Sequence, residues 1–358
     1  MVRAAALTGL ALVLIGLHLG AAATASAQSS RTATPVEAIA LYQGPDREQK
    51  LLEGAKKEGT LSLYTSMIAA DQEVLTGVFA KKYGIKLQSW RASSEGLLQR
   101  LVAEARAGRF EADLVDNNVA QVEALHREYL LQRVESPQHA RLIAHAVPAH
   151  KEWVGNSIDM IIQGYNSNQI RQEDLPKSYQ DLLNPKWKGQ LGVEATDQHW
   201  FAAILEELGH DAGMNLFKRI VDSNGISVRN GHALLANMVA SGEVPLALTV
   251  YQYLPTDIKR KGGPIEPFVI TTATGAFRSI GLLKNARHPH VALLYYDFLL
   301  SPEGQQILLS RSRAPTSKVI DSPWKNTPMK FIDPVRALEM NDHWTQDFET
   351  AVTKRPQK

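Results

Sequence analysis

The chain has 358 residues and no cysteine. Disulfides, thiolate metal sites and cysteine nucleophiles are therefore excluded, as is a lipid-modified cysteine near the N-terminus. Past residue 20 no apolar run is long enough to span a bilayer. Net charge is also scarce, at +2. The basic residues are scattered, so nothing draws the chain toward nucleic acid or an anionic membrane. There is no Gly-x-Ser-x-Gly elbow, no His-Glu-x-x-His pair and no phosphate-cradling glycine loop. A hydrolase would have to assemble its site from distant residues. Asp197 and His199 are candidate acid and base, without a nucleophile close by in sequence.

Arg3 precedes an apolar stretch from Ala4 to Leu19, and Ala25-Ser-Ala27 follows as a small-x-small site. That pattern predicts a secretory signal peptide over residues 1–27, cut after about Ala27. An exported chain with no lipid anchor and no membrane span is expected to be soluble in the periplasm. Residues 28–45 read as a flexible lead-in.

From residue 46 onward, short strands alternate with amphipathic helices. Arg47 to Glu58 reads as a helix stopped by Gly59, and Leu61 to Thr65 as a strand. Asp71 is a plausible N-cap for a helix with Val74, Leu75, Val78 and Phe79 inward. The pattern repeats through Ile85–Trp90, the helix opened by Ser93-Ser94, the strand Ala112–Asp116 and the helix Val119–Glu128. This βαβαβα order argues a parallel sheet covered on both faces. The strand ends carry Thr65-Ser66-Met67, Ser93-Ser94 and Asp116-Asn117-Asn118, all on one rim. Helix capping and ligand binding both account for such residues.

A second set of elements starts at Gln190. It leads to Gly242-Glu-Val-Pro-Leu-Ala-Leu-Thr-Val-Tyr-Gln-Tyr253, which reads as a helix stop, a buried strand and an aromatic strand end. On an extended chain Tyr251 and Tyr253 share a side. Open α/β sheets bind ligands beyond the carboxyl ends of their strands.

Several segments in order resemble the iron(III)-type periplasmic substrate-binding proteins of ABC importers. They are Leu63-Tyr64, Ala112-Asp113, Pro185-Lys-Trp-Lys-Gly189, Asn230, Gly242-Glu-Val-Pro245, His288-Pro-His290 with Tyr296-Asp-Phe-Leu299, and Pro302-Glu-Gly-Gln305. The resemblance implies a two-lobed type II periplasmic binding protein fold of class α/β. Each lobe is then a mostly parallel sheet flanked by helices, with the ligand cleft between. It places lobe 1 at residues 46–157 and 275–345 and lobe 2 at 158–274. It also implies a monomer that closes on its ligand, hands it to a membrane permease and performs no chemistry.

The resemblance carries the ligand set over poorly. Ferric-binding members use a histidine after the first strand, a glutamate after the third and two adjacent tyrosines. The matching places here hold Ile68, Asn118 and Gln252-Tyr253. Their small anion-holding turn becomes Asp197-Gln-His-Trp200. Two ligand classes stay open. A bound metal ion would use Asp197, His199, Tyr251 and Tyr253, with Glu194 and His232 as further donors. A small polar organic ligand, amine- or phosphate-bearing, would have Trp200, Tyr251 and Tyr253 as walls. Ser66, Ser94, Asn117, Asn118 and Asn230 would supply hydrogen bonds, and Asp197 or Glu194 would pair with an amine. Beyond that metal ion, no cofactor is expected.

Overall fold

The computed structural model describes residues 33–354. The signal peptide expected over residues 1–27 lies outside them. The chain opens with α1 (Pro35–Ala40) and α2 (Arg47–Glu58). Then come β1 (Thr60–Thr65), α3 (Ala69–Tyr83), β2 (Lys86–Arg91), α4 (Ser94–Arg106), β3 (Leu114–Asn118) and α5 (Val119–Arg127). After β4 (Leu131–Gln132) and β5 (Trp153–Asn166) follow β6 (Leu191–Glu194), α6 (Gln198–Leu208), α7 (His210–Asn224) and β7 (Ser227–Arg229). Next are α8 (His232–Ser241), β8 (Leu246–Tyr251), α9 (Tyr253–Arg260), β9 (Ile265–Phe268) and β10 (Ala273–Leu283). The chain closes with α10 (Pro289–Leu300), α11 (Pro302–Ser310), β11 (Ala314–Pro315), β12 (Met329–Phe331), α12 (Pro334–Glu339) and α13 (Asn341–Phe348).

The main sheet runs β2-β1-β3-β10-β5-β8-β6-β7. Strand β1 is parallel to β2 and β3, and β6 is parallel to β7 and β8. Between these parallel halves lies an antiparallel pair. Strand β10 runs against β3 and β5, and β5 runs against β8. The mostly parallel halves read from the sequence are thus present, joined by two long crossing strands. Strand β5 feeds two hydrophobic cores through its alternation. Ile158, Met160 and Ile162 pack into one core, with β1, β3 and α10. Ile161 and Tyr165 pack into the other, with β6, α6 and α7. The strand is buried on both faces, and its buried polar residues Asn156, Gln163 and Asn166 each donate a hydrogen bond.

The polar segments that carry the family resemblance are braces. Asp113 accepts from the Ser62, Arg287 and His288 amides and lies 2.9 Å from His288 Nδ1. It thus ties β1 to the start of α10. Gln305 donates to the Asn156 carbonyl at 2.8 Å and accepts from the Ser317 amide at 3.0 Å. Gly242 ends α8 at φ 84°, a left-handed position where a side chain would be strained. None of the helices among the described residues is long and apolar enough to cross a membrane.

Three local expectations change. The lead-in is helical at Pro35–Ala40, because Val36 and Ala40 are buried in the core. Helix α3 starts at Ala69, so Asp71 is not its cap. Its carboxylate is buried and receives Arg311 Nε at 2.9 Å and Arg313 Nε at 2.7 Å. Val74 is exposed rather than inward, since the buried face of α3 runs through Leu75 and Phe79.

Candidate functional site

The carboxyl ends of β1, β3, β6 and β8 deliver their following residues to a cleft with two ends. One end is a cavity of about 200 Å³ lined by Ser66, Met67, Ile68, Ser94 and Ser157, with Tyr253, Arg278 and Arg313. The other, of about 190 Å³, is lined by Thr196, Asp197, His199 and His232 together with Ile161 and Phe277. Asn118, Asp159 and Tyr251 border both and join them.

The first end carries two guanidiniums. Arg278, on β10, donates through Nη2 to Ser66 Oγ at 2.6 Å, and its Nε lies 3.3 Å from Asp116. Ser66 Oγ in turn donates to Asn117 Oδ1 at 2.8 Å, and Ser94 Oγ donates to it at 3.3 Å. The Arg313 guanidinium stacks 3.7 Å from the centre of the Tyr253 ring, with Nη1 3.8 Å from Asp159. Helices α3 and α5 start here, just after Ile68 and Asn118, neither of which caps its helix with a side-chain bond. The positive ends of these two helix dipoles add to the pull on an anion.

The second end carries carboxylates. Asp197 stands at the N-terminus of α6, and both its oxygens lie 3.0 Å from His232 Nε2. Glu194 accepts from the Gly231 amide at 3.0 Å and from Thr196 Oγ1 at 2.7 Å. One ligand atom each from Glu194, Asp197 and His232 fits within 4.8 Å of the others. The His232 ring stacks on Tyr251 at 4.0 Å, and Tyr251 stacks on Tyr253 at 5.7 Å with planes 10° apart.

The titrations follow from these neighbours. Burial alone lowers the His232 pKa, but the hydrogen bond and charge of Asp197 outweigh it and hold it above the ordinary 6.5. Burial raises the Tyr251 phenol well above 10, with Asp197 and Asp159 adding to it. Tyr253 is also raised by burial, against the opposing charge of Arg313. Burial lowers His199, outweighing Asp197.

Of the residues singled out from the sequence, Ser66, Met67, Ser94, Asn118, Asp197, His199, Tyr251 and Tyr253 line the cleft. Thr65, Asp116, Asn117 and Glu194 stand behind its wall, buried and bonded. Thr65 Oγ1 donates to Asp116 at 2.8 Å, and Asn117 Nδ2 donates to the Ser94 carbonyl at 2.9 Å. Three residues do not belong there. Ser93 caps α4 by accepting from the Gly96 amide. Asn230 is exposed and borders neither cavity. Trp200 is wholly buried among Tyr179 and Phe217, because residues 198–208 are helical and the 100° step from His199 turns it inward.

The tyrosine pair changes in kind. Strand β8 ends at Tyr251 and Tyr253 opens α9, so the turn rather than an extended chain brings the rings together. Gln252 between them is fully buried. It accepts from the Met160 amide at 2.8 Å and donates to the Ile158 carbonyl at 3.1 Å. At the place where ferric-binding members carry a tyrosine, this chain has a clamp on β5.

Sequence reasoning missed Ser157, Asp159, Arg278 and Arg313. Asp159 left a signal: it is the one charge inside the apolar run 158–162. Nothing local marks Arg278 or Arg313, which reach the cleft from distant parts of the chain.

The sequence model of the family described as bacterial extracellular solute-binding protein matches residues 113–334. The chain belongs to that family. It is 26% identical over 241 residues to the Fe(3+)-binding periplasmic protein of Serratia marcescens, covering 64% of this chain and 70% of that one. It is similar to the crystal structure of iron-bound HitA from Pseudomonas aeruginosa, with a TM-score of 0.69 and 23% identity over 82% of this chain and 99% of that one. It is also similar to the fructose-6-phosphate-bound periplasmic binding protein AfuA of Actinobacillus pleuropneumoniae, with a TM-score of 0.64 and 19% identity over the same shares. The fold is therefore the two-lobed fold of periplasmic binding proteins.

Proposed function

We propose that this protein is the periplasmic solute-binding component of an ABC importer, and that its cargo is a small organic zwitterion. The observation that carries this reading is the polarity of the cleft. Arg278 and Arg313 line one end, Asp197 lines the other beside His232, and Asp159 lies between them within reach of Arg313, with Tyr251 and Tyr253 stacked alongside. A phosphate, phosphonate or carboxylate group would sit among Ser66, Ser94 and the guanidiniums, which keep donors to spare beyond their carboxylate partners. A protonated amine would sit by Asp197 and Asp159, against the face of Tyr251. The Ser66 hydroxyl donates to an amide oxygen and accepts from an arginine, with no imidazole on it. That arrangement favours holding over nucleophilic chemistry.

A metal ion is the second reading, favoured by the Glu194, Asp197 and His232 cluster and by the ferric relatives. The arginine end would then hold an accompanying anion. Against it, the places that the resemblance matches to the ferric ligands hold Ile68, Asn118 and Gln252 here.

One preparation separates the readings. Protein purified from the periplasm without refolding is examined by native and denaturing mass spectrometry, metal analysis and visible absorption. A small organic mass without iron is the expected result. Near-equimolar iron with a phenolate charge-transfer band would overturn the zwitterion in favour of iron. Turnover of a panel of esters and phosphoesters would overturn binding as the function.

A further inference from the structure

We propose a second, surface site for a divalent transition-metal ion of the zinc class, held by His210, His343 and Asp347. It lies outside the cleft, between the start of α7 and helix α13. His343 and Asp347 are four apart on α13, so they share one face of that helix. His210 is the first residue of α7 and meets them from the other helix.

The spacing fits an ion. His210 Nε2 lies 3.0 Å from Asp347 Oδ2, and His343 Nε2 lies 3.5 Å from the same oxygen. All three donor atoms fit within 4.8 Å of one another. A tetrahedral zinc ion with bonds of about 2.0–2.1 Å has ligand–ligand edges of roughly 3.3 Å. Two of the three edges thus stand close to that length, and the third is within 4.8 Å. Two nitrogens and one oxygen suit zinc, cobalt, nickel or copper better than calcium or magnesium.

The surroundings add to this. His210 Nδ1 lies 3.2 Å from Asp211 Oδ1. With Nδ1–H donating to that carboxylate, Nε2 turns its lone pair toward Asp347, as in the carboxylate–histidine–metal arrangement. Without the ion, a proton fills the same place, with the imidazolium donating from Nε2 to Asp347, and metal binding displaces that proton. Asp347 is largely buried and the two imidazoles are half exposed. The fourth position therefore faces solvent.

An ion here would pin α13 to α7. That matters because the C-terminal segment runs along the cleft: Ile332 and Ala337 line its second cavity. Glu339 is bonded to Arg127 of α5, and Lys330 and Arg336 are bonded to Glu206 of α6.

The test uses the untagged mature protein, freed of metal by dialysis against chelator and titrated with Co²⁺ followed by Zn²⁺. The expected result is intense visible d–d absorption from tetrahedral cobalt, displaced by zinc. His343→Ala and His210→Gln each lose that equivalent, while His232→Ala in the cleft keeps it. Zinc raises the melting temperature of the parent protein but not of His343→Ala. If no cobalt or zinc binds, or if His343→Ala binds as the parent does, the site does not exist. Loss of the only bound equivalent in His232→Ala alone would put the metal in the cleft and overturn the proposal.

Discussion

At the scale of single residues, the cleft is a set of paired charges whose second partners face the cavity. Arg278 is held by Asp116 on one side and offers donors to the cleft on the other. Arg278→Lys keeps the charge but gives up the fork. It should weaken binding of an anionic solute by about 1.5–3 kcal/mol, roughly ten- to a hundredfold, read by calorimetry against the solute identified in the native protein. His232 and Asp197 predict a pH dependence. The folded pKa of His232 is raised above 6.5, so the pair's stabilisation is fully present below 6.5 and fades as pH rises through the folded value. The melting temperature of the parent should exceed that of Asp197→Asn most at pH 6. The gap should narrow as pH is raised through neutrality; a gap constant with pH would sink the assignment.

At the scale of elements, the crossing strands and the turn after β8 decide what reaches the cleft. Gln252 satisfies one amide and one carbonyl of β5, both buried. Gln252→Ala should destabilise by about 1–3 kcal/mol, seen as a lower denaturant midpoint, and loosen the Tyr251–Tyr253 stack. Trp200 belongs to the core of α6 and α7, not to the ligand. Trp200→Phe should lower the melting temperature and leave the dissociation constant of the solute unchanged; a large loss of affinity at full folding would return it to the site. The positions of helices and strands were legible because apolar periodicity and glycine stops are local. The rim of Ser66, Ser94 and Asn118 was legible for the same reason, being the set of residues that follow parallel strands. Arg278 and Arg313 were not, since β10 and the loop after α11 meet β1 only through chain reversals far away in sequence.

At the scale of the molecule, two cores are joined by β5 and β10, and closure on a ligand is expected to bend the molecule along that pair. Closure over a bound zwitterion would bring Arg278 and Arg313 toward Asp197 and His232 around it. The radius of gyration from small-angle scattering should fall when the solute is added to stripped protein, and equal radii would count against closure.

By itself the sequence determined the α/β class, the alternation of elements, the family resemblance and the tyrosines at a strand end. These follow from short-range rules: which residues turn inward, where a helix stops, where a strand is buried on both faces. Only the tertiary structure decided that Trp200 turns away from the cleft, that Gln252 locks β5, and that two distant arginines share one cleft with Asp159 and Asp197 beside stacked rings. The physical reason is that the charge of a site is a sum over groups near in space, and chain order carries no record of that nearness.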